Sequence, residues 1–187
     1  GAKIVLQMHY HPQYRPGDTA PPVDQTGFDF EVDDHARAAQ FLMTTNPDWV
    51  VSRMPIAPGE ANARVSYSAD LSLGRPFTLF DAGIHMHLLG KRGVIRIERA
   101  NGEKECLVDT TWDFRHQRGY RLPEPRRVFP GDRVYFECNW DNSVANQPIV
   151  DGRKQMPRQV TWGESTTDEM CVMGAYILRD PKDDSAP

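Results

Sequence analysis

The stretch Arg133-Val134-Tyr135-Phe136-Glu137-Cys138-Asn139-Trp140 alternates apolar and polar residues along its whole length. Successive side chains of a strand point to opposite faces, so Val134, Phe136, Cys138 and Trp140 share one face. Pro130-Gly131-Asp132 just ahead of it is a turn signal. Outward from this strand the pattern repeats. Val65, Tyr67, Ala69 and Leu71 alternate with Arg64, Ser66, Ser68 and Asp70. So do Ile4, Leu6, Met8 and Tyr10 with their polar neighbours, and Phe28, Phe30 and Val32 with acidic ones. Phe77–Leu88, Val94–Arg99, Glu105–Val108, Gln159–Trp162 and Glu169–Leu178 are further strand candidates. Asn101-Gly102 between two of them predicts a tight hairpin. Pro16-Gly17-Asp18, Pro58-Gly59 and Asp151-Gly152 punctuate the rest. One helix is expected, over His35–Met43, with Asp33 or Asp34 as its cap. The fold class is therefore all-β: an antiparallel sandwich or jelly roll with at most one short helix.

A chain of 187 residues, 39% hydrophobic, builds one core rather than two large ones. One domain over residues 1–178 is expected, followed by a polar tail, 179–187. With 22 basic and 26 acidic residues the net charge is -4, which gives no basic excess for a nucleic-acid backbone. No apolar run approaches the roughly 18 residues of a spanning helix. The chain opens Gly1-Ala2-Lys3, without an initiator Met, so the lack of a leader says little about its compartment.

Three groups of residues carry chemistry. In a strand, His85 and His87 of His85-Met86-His87 point to one face, about 6.6 Å apart along the chain, and two such imidazoles can bite one metal. By itself an H-x-H pair is more often a pair of half-exposed surface histidines. Met170 falls in Asp168-Glu169-Met170-Cys171, with Val172 and Gly174 on its face and Cys171, Met173 and Ala175 on the other. A lone Met usually belongs to a core. A thioether beside two imidazoles, however, suits a soft, redox-active metal, and copper(I) fits best. His9 and His11 form a second H-x-H pair at a strand end.

Three cysteines leave two options open: a Cys138–Cys171 bridge with Cys106 as a buried free thiol, or three reduced thiols. His35 and His116 have no ligand-spaced partner, and Asp168 and Glu169, adjacent in sequence, are better suited to ordering a turn than to acid–base work. No G-x-S-x-G, P-loop or dinucleotide glycine pattern occurs.

Taken in order, five stretches resemble the C-terminal domain of the copper type II, ascorbate-dependent monooxygenases, the family of peptidylglycine α-hydroxylating monooxygenase and dopamine β-hydroxylase. They are Leu6-Gln7-Met8-His9-Tyr10, Ile56-Ala57-Pro58-Gly59-Glu60, His85-Met86-His87-Leu88-Leu89-Gly90-Lys91, Pro130-Gly131-Asp132 with Cys138, and Ser165–Cys171. The likeness runs from about residue 3 to 178 and implies a jelly roll. It implies that His85, His87 and Met170 bind the copper at which dioxygen is activated to hydroxylate a C–H bond. It implies a Cys138–Cys171 disulfide, and hence a periplasmic or secreted setting. It makes His9 a ligand of a second, electron-supplying copper, with His11 as an extra donor, and ascorbate or another reductant as the electron source. That second site's other ligands belong to an upstream domain absent from this chain.

The resemblance also marks departures. In the peptide hydroxylase an Arg, an Asn and a Tyr contact the peptide C-terminus; Gly83, Val172 and Gly174 stand in those places. The expected pocket is roomier, less polar and without a charge, and its substrate is not a glycine-ended peptide. Two other readings remain: a copper-binding or electron-transfer module without turnover, and a metal-free recognition sandwich. Substrate-stimulated, reductant-dependent oxygen uptake separates the first reading from both.

Overall fold

The computed structural model of the chain describes residues 3–6, 8, 17, 19–20, 23–35, 39–52, 54–150 and 152–180. Its contacts divide it into two compact units, residues 1–36 and 37–187.

In the first unit, the described residues form no strand, contrary to the alternation of Ile4 to Met8 and of Phe28 to Val32. Phe28, Phe30 and Val32 are 49%, 59% and 87% exposed. Alternation makes a strand only where a partner takes up the backbone N–H and C=O groups. Here the Asp24 and Asp33 carboxylates take backbone N–H groups two residues on, at Thr26 and His35, and make local turns.

The second unit contains β1 (Gln40–Thr44), α1 (Pro47–Ser52), β2 (Ala63–Ala69), β3 (Phe77–His85), β4 (Gly90–Glu98), β5 (Lys104–Thr111), β6 (Gly119–Val128), β7 (Arg133–Trp140), β8 (Ile149–Val150), β9 (Arg153–Lys154) and β10 (Val172–Arg179). One four-stranded sheet has the order β1-β10-β3-β6 and the other β2-β7-β4-β5, with β8 and β9 as a separate hairpin. Every strand pairing is antiparallel. Apart from the β4–β5 and β8–β9 hairpins, the chain crosses from one sheet to the other between consecutive strands, as in a jelly roll.

The two inner faces share one core. Phe77, Leu79, Ala82 and Ile84 of β3 and Met173, Ala175 and Ile177 of β10 meet Ile95 and Ile97 of β4 and Val134, Phe136 and Trp140 of β7. Val134, Phe136 and Trp140 are the alternate residues that the sequence pattern assigns to one face, whereas in β3 the alternation changes phase between Leu79 and Ala82. The Asn101-Gly102 turn forms as expected, with Gly102 at φ 90° and the Arg99 N–H donating to the Glu103 carbonyl at 2.8 Å. The buried Asp132 carboxylate accepts from Ala100 N–H, Phe129 N–H and the Arg99 guanidinium, so it fastens that hairpin to the β6–β7 turn.

Two elements differ from expectation. Residues 40–43, read as the end of a helix, are in β1 and pair with β10, Phe41 opposite Tyr176 and Met43 opposite Gly174. The helix lies just beyond, at α1. Its signal is Asn46-Pro47-Asp48: the Asn46 side-chain oxygen accepts from Asp48 N–H at 3.0 Å, and Pro takes the first helical position. Trp49 then meets Tyr67 and Phe136 edge-on, at centroid distances of 6.2 and 6.1 Å. Strand β6 was not expected, because Pro123 and Pro125 interrupt its pattern. It lies at a sheet edge, pairs only with β3, and its register shifts between Leu79 and Asp81, which is where an edge strand tolerates Pro. Gln159–Trp162, expected as a strand, contributes only isolated bridges, from Val160 to Ile56 and from Trp162 to Glu169.

Cys138 of β7 and Cys171, one residue before β10, form a disulfide between the two sheets. Cys106 is free, as expected, but exposed rather than buried. It sits opposite Arg96, next to the register shift that turns β5 against β4. A bridge closing 33 residues contributes about 3–4 kcal/mol through the unfolded chain. Alkylation of the unfolded, unreduced protein should label one thiol, and labelling after reduction should reach three. Replacing both Cys138 and Cys171 by Ala should lower the urea-derived unfolding free energy by about 3–4 kcal/mol.

Candidate metal centre

Strand β3 delivers the first histidine pair. Ile84 and Met86 point into the core, Met86 fully buried, and His85 and His87 alternate with them. The two imidazole centroids lie 5.1 Å apart with the rings nearly perpendicular, at 82°. The chain then turns: Gly90 N–H donates to the His87 carbonyl, and the Trp112 indole N–H donates to that same carbonyl at 2.8 Å. A Cβ at Gly90 would fall 2.4 Å from the Trp112 ring, so only glycine lets Trp112 close against this turn.

The β10 approach brings the second half. Trp162 bridges to Glu169 in parallel, Asp168 N–H donates to the Ser165 carbonyl, and a Cβ at Gly163 would collide with the Asp168 carboxylate. The loop is therefore packed tightly. From it Glu169 enters the interior and is 0% exposed. Its carboxylate accepts from His87 N–H, Leu89 N–H and the Trp140 indole N–H, each at 2.7 Å. Burial pushes its pKa up to about 7, while the His87, Leu89, Trp140 and Met170 N–H donors pull it back down. Glu169 thus orders the turn, as expected of it, and it does so from inside the core.

Both imidazoles have their Nδ1 engaged. His87 Nδ1 lies 3.2 Å from the Asp168 carbonyl oxygen, and a carbonyl only accepts, so His87 Nδ1 carries the hydrogen. His85 Nδ1 lies 2.8 Å from Oε1 of Gln117. Burial, then the nearby His85, hold the His87 pKa below the ordinary imidazole value, against the Asp168 and Ser165 carbonyls and the Asp168 charge. A neutral imidazole hydrogen-bonded through Nδ1 keeps a bare Nε2 lone pair, the state in which histidine binds a metal.

Among the described residues no group of three or more His, Cys, Asp and Glu side chains converges. Met170 lines an open cleft of ≈ 710 Å³ together with His85. Val172, two residues past Met170, pairs directly with His85 in the ladder. His9 and His11 lie outside the described residues. His35 and His116 are exposed, and His116 is occupied with Asp113 at 3.0 Å.

Gly83, Val172 and Gly174 all line the cleft. Two further residues shape it. Arg118 also lines it, from the turn before β6. And Phe41 of β1 covers Gly174, where a Cβ would meet the Phe41 ring at 3.0 Å. At Gly83 a Cβ would fall 2.9 Å from the Arg118 carbonyl oxygen, so the backbone itself bars a side chain there.

Among the described residues, two four-stranded antiparallel sheets form a β-sandwich, with His85 and Met170 on one cleft at the end of its central strands. Residues 49–179 match the family model described as the copper type II ascorbate-dependent monooxygenase, C-terminal domain. The chain belongs to this family. It is 23% identical over 185 residues to MOXD1 homolog 1 of Drosophila melanogaster, covering 95% of this chain and 24% of that protein. The chain thus spans about a quarter of the length of this relative. Among solved structures, infectious bursal disease virus Gx strain aligns over 83% of this chain and 38% of its own, with 8% identity and a TM-score of 0.29.

Glu169 can be tested directly. Glu169→Gln puts an NH2 group where one carboxylate oxygen now accepts, leaving at least one buried N–H unsatisfied, at a cost of about 1–3 kcal/mol. Glu169→Ala strands every one of those donors and should cost more. Urea unfolding with the disulfide intact measures both.

Proposed function

We propose that His85, His87 and Met170 hold one copper ion, and that the domain hydroxylates a C–H bond of a small molecule bound in the adjoining cleft. The observation that carries this reading is the pair of imidazoles with Nδ1 engaged and Nε2 bare, beside a cleft lined by Met170. The donor set fits copper: imidazole supports copper(II), thioether favours copper(I), and three protein ligands leave a coordination position open. Bound copper supplies the redox and dioxygen chemistry for which the family is named. The protein supplies the rest. Glu169 fixes the His87 and Leu89 backbone, the Asp168 carbonyl sets the His87 ring, and the cleft walls hold the substrate against the open side. The electrons come from ascorbate or another reductant, through a second site to which His9 and His11 are assigned in this reading, completed by a domain upstream. The disulfide agrees with an oxidising compartment, and we place the protein in the periplasm or outside the cell.

Anaerobic copper(I) titration of the chain should give one tight equivalent that His85→Ala or His87→Ala abolishes. Met170→Ala should weaken copper(I) and spare copper(II), because thioether is the soft ligand. Equal loss of both oxidation states would make Met170 structural. Two tight equivalents in the unaltered chain would add His9 and His11 as a site. Copper binding without reductant-dependent, substrate-stimulated oxygen uptake would favour a copper module over an oxygenase.

The glycines at 83 and 174 argue against a glycine-ended peptide as substrate. Calorimetric titration of the copper-loaded chain with an N-acyl dipeptide ending in Gly should show no binding below the millimolar range. Micromolar binding that disappears in Arg118→Ala would reverse this and make Arg118 the carboxylate contact.

A further inference from the structure

The turn between β5 and β6 does more than close a hairpin. Trp112 donates its indole N–H to the His87 carbonyl, the Phe114 ring meets the His87 ring edge-on at 6.2 Å, and Gln117 reaches His85. Three residues of one loop thus touch the two halves of the H-x-H pair.

Gln117 decides the state of His85, and its own orientation is decided by Phe114. The Gln117 NH2 group donates to the Phe114 carbonyl oxygen at 3.3 Å. A carbonyl oxygen has no hydrogen to give, so the NH2 end of the amide must face it. The other end, Oε1, then faces His85 Nδ1 at 2.8 Å. Oε1 only accepts, so Nδ1 must be the donor. A neutral ring that carries its hydrogen on Nδ1 has none on Nε2. In water the neutral imidazole favours the opposite tautomer, and which nitrogen is protonated follows the hydrogen bond the other one makes.

We infer that Gln117 is a positioning residue that fixes His85 as its Nδ1–H tautomer and so keeps Nε2 free as a metal donor. The metal part rests on the copper reading above; the tautomer does not. The two histidines are therefore set by different means. His87, 5% exposed, is held by a main-chain carbonyl that no substitution removes. His85, partly exposed, is held by one side chain on a surface loop. Gln117 lines the cleft as well, so its amide lies where substrate enters.

The test starts without metal. Nitrogen NMR of the imidazoles at about pH 8, above the ordinary imidazole range, should show His85 of the unaltered protein protonated on Nδ1 and bare on Nε2. Gln117→Leu keeps the bulk and removes the acceptor, and should move hydrogen onto Nε2. Gln117→Glu keeps an acceptor and should restore Nδ1–H. Gln117 is exposed, so thermal unfolding should be unchanged in both variants. Copper(I) affinity, measured by competition with a chromogenic chelator, should fall about 10- to 100-fold in Gln117→Leu and recover in Gln117→Glu. An Nε2–H tautomer in the unaltered protein would overturn the inference, as would a Gln117→Leu variant with tautomer and affinity both unchanged. A tautomer that follows Gln117 in a protein that binds no copper would uphold the positioning role and overturn the copper reading alone.

Discussion

The Glu169 carboxylate is the interaction on which the rest of the site depends. It lies in the core with every near neighbour a donor: two backbone N–H groups from the turn after β3 and an indole N–H from β7. The β3 turn and β7 belong to different sheets, so one side chain fixes how the sheets meet at this end of the sandwich. A buried carboxylate is tolerable only when its oxygens are satisfied, and this one is. Two residues on, Cys171 repeats the tie covalently, to Cys138 of the same strand that supplies Trp140. Met170 lies between these two constraints. Its backbone is thus held by its neighbours on either side.

Most of the sandwich was legible because period 2 is a strong signal wherever a strand has one buried face. Strands β2, β3, β4, β5, β7 and β10 all appear where their alternation put them. Legibility failed at the edges. In β6 two prolines hide a strand that an edge position accommodates. In β1 residues 40–43, which follow an alanine-rich run, read as helix until β10 is there to pair with them. The alternation of Phe28 to Val32 misled for the converse reason, since a pattern without a partner is not a strand.

The site was legible in the same uneven way. His85 and His87 declare themselves by i, i+2 spacing on one strand, and the burial of Met86 between them follows from the same rule. Met170 drew attention only beside those imidazoles and through a family resemblance. Gln117 was invisible, being 32 positions from His85 in a loop without periodicity, and nothing in sequence announces a hydrogen bond across that distance. Glu169 was read as a turn residue. That it reaches a core indole from the turn depends on packing that no local pattern encodes.

The order of the first sheet separates the work. Its two central strands, β10 and β3, set Val172 opposite His85, and each is held by pairing on both sides. Its two edge strands, β1 and β6, shape the cleft: Phe41 covers Gly174 from one edge, and the Arg118 carbonyl shuts out a side chain at Gly83 from the other. Central strands are costly to alter, because a change disturbs two ladders and the core. Edge strands have a single ladder and solvent on the other side. A protein built this way can change one wall of the cleft through β1 while leaving His85 undisturbed; the turn before β6 has less freedom, because its Gln117 reaches His85. The glycines at 83 and 174 are the local signature of that division, since each leaves its space to an edge element rather than to a side chain of its own.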